Sequence, residues 1–359
     1  MSSSPYASAL GRLKAHLPEF LSKETLHRLA GAKDLNEVAK ILEGTPYGPE
    51  IVRAAVTQKG APMIETSVNA TFVERNRRAF ESASFAGRPI VGAYLQRWDL
   101  ENISIVLAAK ARGLPVTEDE HRLVSWRELP AGIPAGAMTL DGLRALLAQP
   151  TLEATVTYLV NFGYGGTLLP LVETFARTHD IFPVVQALER EYYARLFASV
   201  RFFQGDEWVV LEFLRDEVDD RNAMLLLKAK DAGLPAEEVV DRGWIDGGRL
   251  PKASAADLLG SRTVPELVAA LAGRFPALPE GLGPFEGGRS LAGFELALLH
   301  ARAVRAIRRM RAYPLSLAIL MVYLLLGEIE RVDLRRIVYG ILYGLPAETI
   351  EPMLIGPKL

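Results

Sequence analysis

Three pairs of polar residues stand three apart in the chain: Asp99 with Asn102, Asp219 with Asn222, and Glu330 with Asp333. On a helix, residues three apart share a face, and a carboxylate so placed could serve as a general acid or base. A reaction rarely needs its catalytic group in triplicate, whereas a structural polar contact repeats with its unit. The pairs are therefore read as structural, each acid meeting a helix end or a basic residue in its own or the next unit, and no catalytic residue is assigned. The five histidines, His16, His27, His121, His179 and His300, show no i,i+4 pair and no HExxH pattern, so no metal site is expected. Gly163-Tyr-Gly165-Gly166 is too short for a phosphate loop, and no Gly-Lys-Ser/Thr follows it. Neither nucleotide hydrolysis, direct nucleotide binding nor a cofactor is expected of this chain. It has no cysteine, which removes disulfides, thiolate nucleophiles and Cys-ligated zinc. Arg302, Arg305, Arg308, Arg309 and Arg311 form the densest basic cluster. Such a run is either a solvated face or a contact with acidic groups of a partner, and the second reading explains Arg in place of Lys.

The elements that carry these residues are repeated. DLENISIVLAAKARGLP (99–115) and DDRNAMLLLKAKDAGLP (219–235) match at a constant offset of 120, and ERVDLRRIVYGILYGLP (330–346) is a diverged third copy. In it Glu330 replaces Asp, Asp333 replaces Asn and Ile341 replaces Lys. A second motif precedes each copy. The stretches ending at Gly48 and Gly165 run in register at an offset of 117, so that Leu21-Ser22 meets Met138-Thr139; a third, without the terminal Tyr-Gly, runs from Ala253 to Gly273. The chain is thus read as three units, 1–115, 116–235 and 236–359, each of the first two ending in Gly-Leu-Pro.

The repeats read as helices. Ala, Leu, Ile and Lys dominate between Asn102 and Arg112, Gly113 suits a left-handed cap, and Pro115 cannot continue the helix. Acidic residues suited to a first helical turn follow each stop: Glu118-Asp119-Glu120, Glu237-Glu238 and Glu348. Ser22, Asp34 or Asn36, and Thr263 are candidate N-caps. Long helices are expected over Glu65 to Ser82, Val184 to Phe203 and Phe294 to Arg311. Loops are expected over Leu129 to Gly136, Gly243 to Pro251 and, the longest, Ala277 to Gly288. No run of alternating β-branched residues stands out, so a sheet is not expected and the fold class is all-α.

With 41 basic and 43 acidic residues the net charge is −2, which gives no global field for nucleic acid or an anionic membrane. Hydrophobic residues make up 49% of the chain, enough for a large core. The N-terminus shows no secretory signal. The most apolar run, Leu315 to Leu326, falls well short of the roughly 20 residues a membrane span needs, and is read as a buried helix.

Tyr6, Arg12, Leu21-Ser22 and Thr45-Pro46-Tyr47, the D-x-x-N helices ending in Gly-Leu-Pro, and the stretch from Pro314-Leu-Ser-Leu to Pro346 together resemble the C subunit of V-type and A-type rotary ATPases, called d in eukaryotes. The ordered set carries the resemblance over nearly the whole chain; no single motif does. It implies three similar helical domains arranged as a funnel with pseudo-threefold symmetry. The funnel would sit on the membrane proteolipid ring, receive the central stalk subunits D and F, and pass torque between the ATPase head and the ring in proton or sodium transport, without an active site. It also implies a peripheral place on the cytoplasmic face of the membrane. Asp333, Ile341 and the missing Tyr-Gly after Leu271 depart from the family pattern, so strict threefold equivalence of contacts is not expected at the third copy. The loop 277–288 has no counterpart in the resemblance. The rival reading is a helical-repeat scaffold of another complex, since copies of an interaction fold do not reveal their partners.

Overall fold

The computed structural model describes residues 7–83, 87–113, 123, 125–127, 132–134, 138–178, 180–200, 207–261 and 263–356, and these are helical almost throughout. Tyr6, the acidic turn Glu118-Asp119-Glu120, His121 and His179 lie outside them. The long helices run over Gly60–Ser82, Phe182–Val200 and Ala292–Ala312, and those bearing the repeated polar pairs over Arg97–Ala111, Glu207–Ala232 and Ala318–Leu342. The apolar run lies mostly in the last of these: Leu317 to Leu325 are buried, while Leu315 precedes the helix and is exposed.

Local chemistry sets the boundaries. Ser22, Asp34, Thr139, Thr151 and Thr263 each accept the backbone N–H three residues on, from Thr25, Glu37, Gly142, Ala154 and Glu266. Such a cap contributes about 1 kcal/mol. At the other end Gly113, Gly233 and Gly344 adopt φ of 66°, 68° and 72°, the left-handed region that favours glycine. Leu234 N then donates to Ala229 O at 2.9 Å and Leu345 N to Gly340 O at 2.8 Å, closing a Schellman turn before the proline.

Two expectations are corrected. Residues 277–288 form a 3₁₀ turn, Leu278–Gly281, and a short helix, Leu282–Gly288. Their glycines disguise helical spacing, in which Leu278 and Phe285 are buried and Gly281 lies under Phe294, where a Cβ would come within 2.3 Å of the ring. Within the expected loop 129–136, Gly132–Pro134 pairs antiparallel with Ser125–Arg127, the one sheet among the described residues.

The chain divides into two compact units, one made of residues 1–188 and 323–358, the other of 189–322. The first contains two of the hydrophobic cores. One joins Ile103, Val106 and Leu107 to Leu143, Leu146, Val156, Leu159 and Leu168. The other joins Leu334, Ile337 and Val338 to Leu26, Leu29, Leu42, Tyr47 and Ile51. The second unit contains a third core, in which Ala223, Leu226 and Leu227 meet Ala255, Leu259, Leu267 and Leu271. The same three positions of each D-x-x-N helix thus bury against short helices of the following copy, and the third copy's helix buries against those of the first.

Candidate functional site

The repeated polar pairs sit at the entrance to these cores. Asp99 Oδ2 accepts the backbone N–H of Met138 at 3.0 Å. Asp219 Oδ1 accepts those of Arg249 and Leu250 at 2.6 and 2.7 Å. Glu330 Oε2 accepts that of Leu21 at 2.5 Å. Leu21 and Met138 correspond in the sequence repeat, and Leu250 stands where the third copy's register continues. Each acid therefore fixes the chain just before the next copy's short helices begin, and the series returns from the third copy to the first. Asp99, Asp219 and Glu330 are all buried, so each bond is made where an unpaired N–H would be costly.

The fourth position also holds backbone, in the stretch that follows its own copy's Gly-Leu-Pro. Asn222 Nδ2 donates to Ile245 O at 2.8 Å while its Oδ1 accepts Ile245 N at 3.0 Å, so one amide satisfies both groups of one residue. Asp333 instead accepts Ile355 N at 3.0 Å and Gly356 N at 2.7 Å. Two backbone donors face it, which suits a carboxylate, an acceptor only, better than an amide. Its burial raises the carboxyl's pKa, while the Gly356 and Ile355 N–H groups pull it back. Asn102 is buried at the matching place.

The lysine of the motif holds the far end. Lys110 Nζ donates to Leu147 O at 3.3 Å and also to Gln149 O. Lys230 Nζ donates to Leu259 O at 2.8 Å. Leu147 and Leu259 are the last residues of their short helices, where a cation meets unpaired carbonyls and the negative end of the helix dipole. Asp99 and Lys110, eleven residues or about 16 Å apart along one helix, thus bracket the next copy's helix Leu140–Leu147. Ile341 gives up this bond and packs against the core made with the first copy.

Glu330 has a longer reach than Asp and more to hold. Its Oε1 accepts Tyr47 Oη at 2.6 Å and Arg75 Nη1 at 2.5 Å. Arg75 lies 4.5 Å from the Phe20 ring centroid and donates to Glu19 O at 3.1 Å. Burial, ahead of its charged neighbours, pushes the Tyr47 hydroxyl well above its ordinary pKa, so it serves as a donor. Sequence reasoning missed Arg75, as it missed the buried Arg331 and the half-buried Arg335, which pair with Glu101 and Glu65. Isolated arginines in long helices carried no repeat to mark them.

In the second unit the arginine cluster turns inward. Arg302 approaches Glu217 and Asp220 at 3.5 and 3.6 Å, Arg305 approaches Asp216 and Asp220 at 3.4 and 3.7 Å, and Arg309 approaches Asp216 and Glu212 at 2.7 and 3.5 Å. Arg249 adds contacts to Glu212, Asp216 and Asp219. This is an antiparallel ladder between Glu207–Ala232 and Ala292–Ala312. Its signal lay in the acids at 212, 216 and 220, spaced one helical turn apart like the arginines. Burial opposes ionisation of Asp216, but Arg305 and Arg309 outweigh it and hold the carboxyl below its usual range. At Asp220 burial wins over the more distant Arg302 and Arg305, and its pKa is pushed up to about 7. Arg308 and Arg311 are exposed.

Among the described residues no group of His, Asp and Glu could hold a metal ion, and no helix is long and apolar enough to cross a membrane. His16 bonds Glu19 at 2.6 Å and His27 meets Glu351 at 3.1 Å.

These features define an all-helical repeat protein whose recurring polar residues hold backbone. The family model described as ATP synthase (C/AC39) subunit matches residues 9–353, and the chain belongs to that family. It is 32% identical over 352 residues to the C subunit of the A-type ATP synthase of Thermoplasma acidophilum, covering 98% of each chain. Against its counterpart in Thermoplasma volcanium it is 29% identical over 351 residues, again covering 98% of each. Against that of Methanocaldococcus jannaschii it is 23% identical over 354 residues, covering 98% of this chain and 86% of the relative.

Proposed function

We propose that this chain is a non-catalytic rotor component of an A-type ATP synthase, a socket that couples the central stalk subunits D and F to the membrane proteolipid ring in proton or sodium transport. In this reading it is peripheral, held at the cytoplasmic face of the membrane through the complex, and binds neither nucleotide nor nucleic acid. Its three sequence units, 1–115, 116–235 and 236–359, form a funnel with pseudo-threefold symmetry.

The observation that carries this reading is the cyclic series of clasps. The first copy holds the second through Asp99, the second holds the third through Asp219, and the third holds the first through Glu330. A head-to-tail series that returns to its start is the connectivity a closed threefold body requires. A body meant to carry torque also gains from fixing its entry segments through buried bonds to backbone. Arg308 and Arg311, exposed beside arginines whose charge is paired internally, are the members of the cluster left for an acidic partner surface.

Affinity capture of the tagged chain from gently solubilised membranes, followed by mass spectrometry, tests the proposal. Recovery of the proteolipid and of stalk components, lost when the complex is dissociated, is expected. Recovery of soluble proteins alone would overturn it in favour of a scaffold in another assembly.

A further inference from the structure

We infer that the exposed aromatic pair Trp208 and Tyr313, with Leu315, Arg308 and Arg311, is a docking surface for an acidic amphipathic helix of a partner subunit. The inference rests on the proposed place of the chain in a rotary complex, and adds which surface is met there and by what chemistry. The pair is the next rung of the ladder between Glu207–Ala232 and Ala292–Ala312. Trp208 stands one turn before Glu212, in the row that continues through Asp216 and Asp220, and Tyr313 stands one turn after Arg309. The last ion pair on that side joins Glu212 and Arg309 at 3.5 Å. The rung beyond it is two rings in edge contact, with centroids 4.7 Å apart and planes at 84°.

The ladder already joins the two helices, yet Trp208 and Tyr313 keep 44% and 47% of their surface in water and Leu315 keeps 61%. Trp98 and Trp244, by contrast, are buried. With Ala312 and Pro314, also exposed, these residues make an apolar surface of the tryptophan-and-tyrosine kind that anchors protein interfaces. Its border is basic. Arg308 and Arg311 are exposed and precede Tyr313 within about 8 Å along the helix axis. The nearby carboxylates of Glu212 and Asp216 are taken up by Arg249, Arg305 and Arg309. The charge left over is positive, and an acidic partner complements it. Two arginines attract an anionic bilayer weakly, and the chain's net charge of −2 opposes them, so the surface fits a protein segment and not lipid. The first unit shows the form such an occupant takes. There the helix Ala7–His16 packs on the long helix Gly60–Ser82, with Leu13 fully buried. Just past that helix Glu19 meets Arg78, in the last turns of the long helix, at 2.7 Å. At the end of the third copy's long helix the arginines and the apolar side chains are present, while Tyr313 and Leu315 stay in water.

Site-specific photocrosslinking in the full chain tests this. Tyr313 is replaced by p-benzoylphenylalanine in the tagged protein, membranes are irradiated before gentle solubilisation, and the captured material is analysed by mass spectrometry. The expected adduct is a partner-subunit segment that carries acidic residues and apolar ones at helical spacing. Trp208→Ala combined with Leu315→Ala should lower recovery of that subunit by about tenfold or more. Arg308→Glu combined with Arg311→Glu should do the same while the urea midpoint of the second unit stays in place, which separates docking from folding. The inference would be overturned by an absence of adducts, or by adducts to phospholipid or to a partner segment without acidic residues, in membranes that still yield proteolipid and stalk together. The proposed function would then stand. Capture that yields neither proteolipid nor stalk would overturn both.

Discussion

Asp219→Ala tests whether the clasps are structural in the sense argued above. The substitution removes the oxygen that accepts both Arg249 N and Leu250 N, at 2.6 and 2.7 Å, in a residue 4% exposed. Each buried N–H left without an acceptor costs about 1–3 kcal/mol. The Arg249 guanidinium loses a 3.3 Å contact but keeps Glu212 and Asp216 at 2.7 and 2.9 Å, so that loss adds little. Relief of repulsion from nearby acids offsets a fraction, and a net loss of about 3–4 kcal/mol follows. Trp244, buried in the second unit's core and adjacent to Ile245, reports its unfolding in urea. With a slope of roughly 2–3 kcal/mol/M, the Trp244 transition should move down by about 1–2 M. The control is Glu295→Ala, which breaks a 2.7 Å pair with Lys228 between two half-exposed side chains and should cost under about 1 kcal/mol. A shift for Asp219→Ala no larger than the control's would refute the reasoning.

Three further outcomes are expected. Asn222→Asp sets a carboxylate against the Ile245 carbonyl and should cost about 1–3 kcal/mol in urea unfolding; an unchanged midpoint would show that the amide is not needed as a donor. Asp220, with its pKa pushed up to about 7, binds a proton in the folded state that the unfolded chain releases above its ordinary value near 3.8. It therefore makes the protein lose stability as pH rises from about 4 to about 7 and has no further effect above that. Asp220→Asn should consequently gain on the unaltered protein over that window, by at most roughly 4 kcal/mol, and a pH-independent difference between the two would count against the shift. Finally, Arg309→Glu should destabilise the second unit through its 2.7 Å contact with Asp216. Arg308→Glu should leave the urea midpoint within about 0.5 kcal/mol of the original while reducing recovery of partners in the capture experiment, and equal effects of the two on stability would remove the distinction.

The helices were legible because their signals are local. Ser22, Asp34 and Thr263 announce starts, and Gly113, Gly233 and Gly344 announce stops, through the chemistry of a few adjacent residues. The repeated acids were legible in the sequence because they recur, but what they hold was not. Met138, Leu250 and Leu21 lie 39, 31 and 309 residues from their acceptors, and a backbone N–H leaves no mark in a sequence. The third copy looked worn at 330, 333 and 341. In the fold, Glu330 and Asp333 are matched to different donors, three and two in number, and only Ile341 is a lost bond. The arginine cluster was recognised by density, yet its direction depended on acids some 90 residues earlier, as the separation of Arg309 from Asp216 records. The short helix Leu282–Gly288 was hidden by Gly283, Gly287 and Gly288, which local propensity counts against a helix, and only Gly281 ahead of it is demanded by packing under Phe294.

The displacement of the cores from the sequence copies bears on how such a chain could have arisen. A lone copy of about 120 residues carries a D-x-x-N helix whose apolar face belongs to another copy's core, and short helices that its own long helix covers only in part, as Ile64 and Val68 do in the first copy, so its core is left incomplete. It can complete that core by lending its helix to a second molecule and borrowing from a third, a heterologous contact that makes either a closed ring or an open fibre. Fusing three copies into one polypeptide fixes the count and leaves one junction, third copy to first, to be made without a peptide bond. Glu330, Asp333 and Ile341, which depart from the first two copies, all lie where the third copy meets the first.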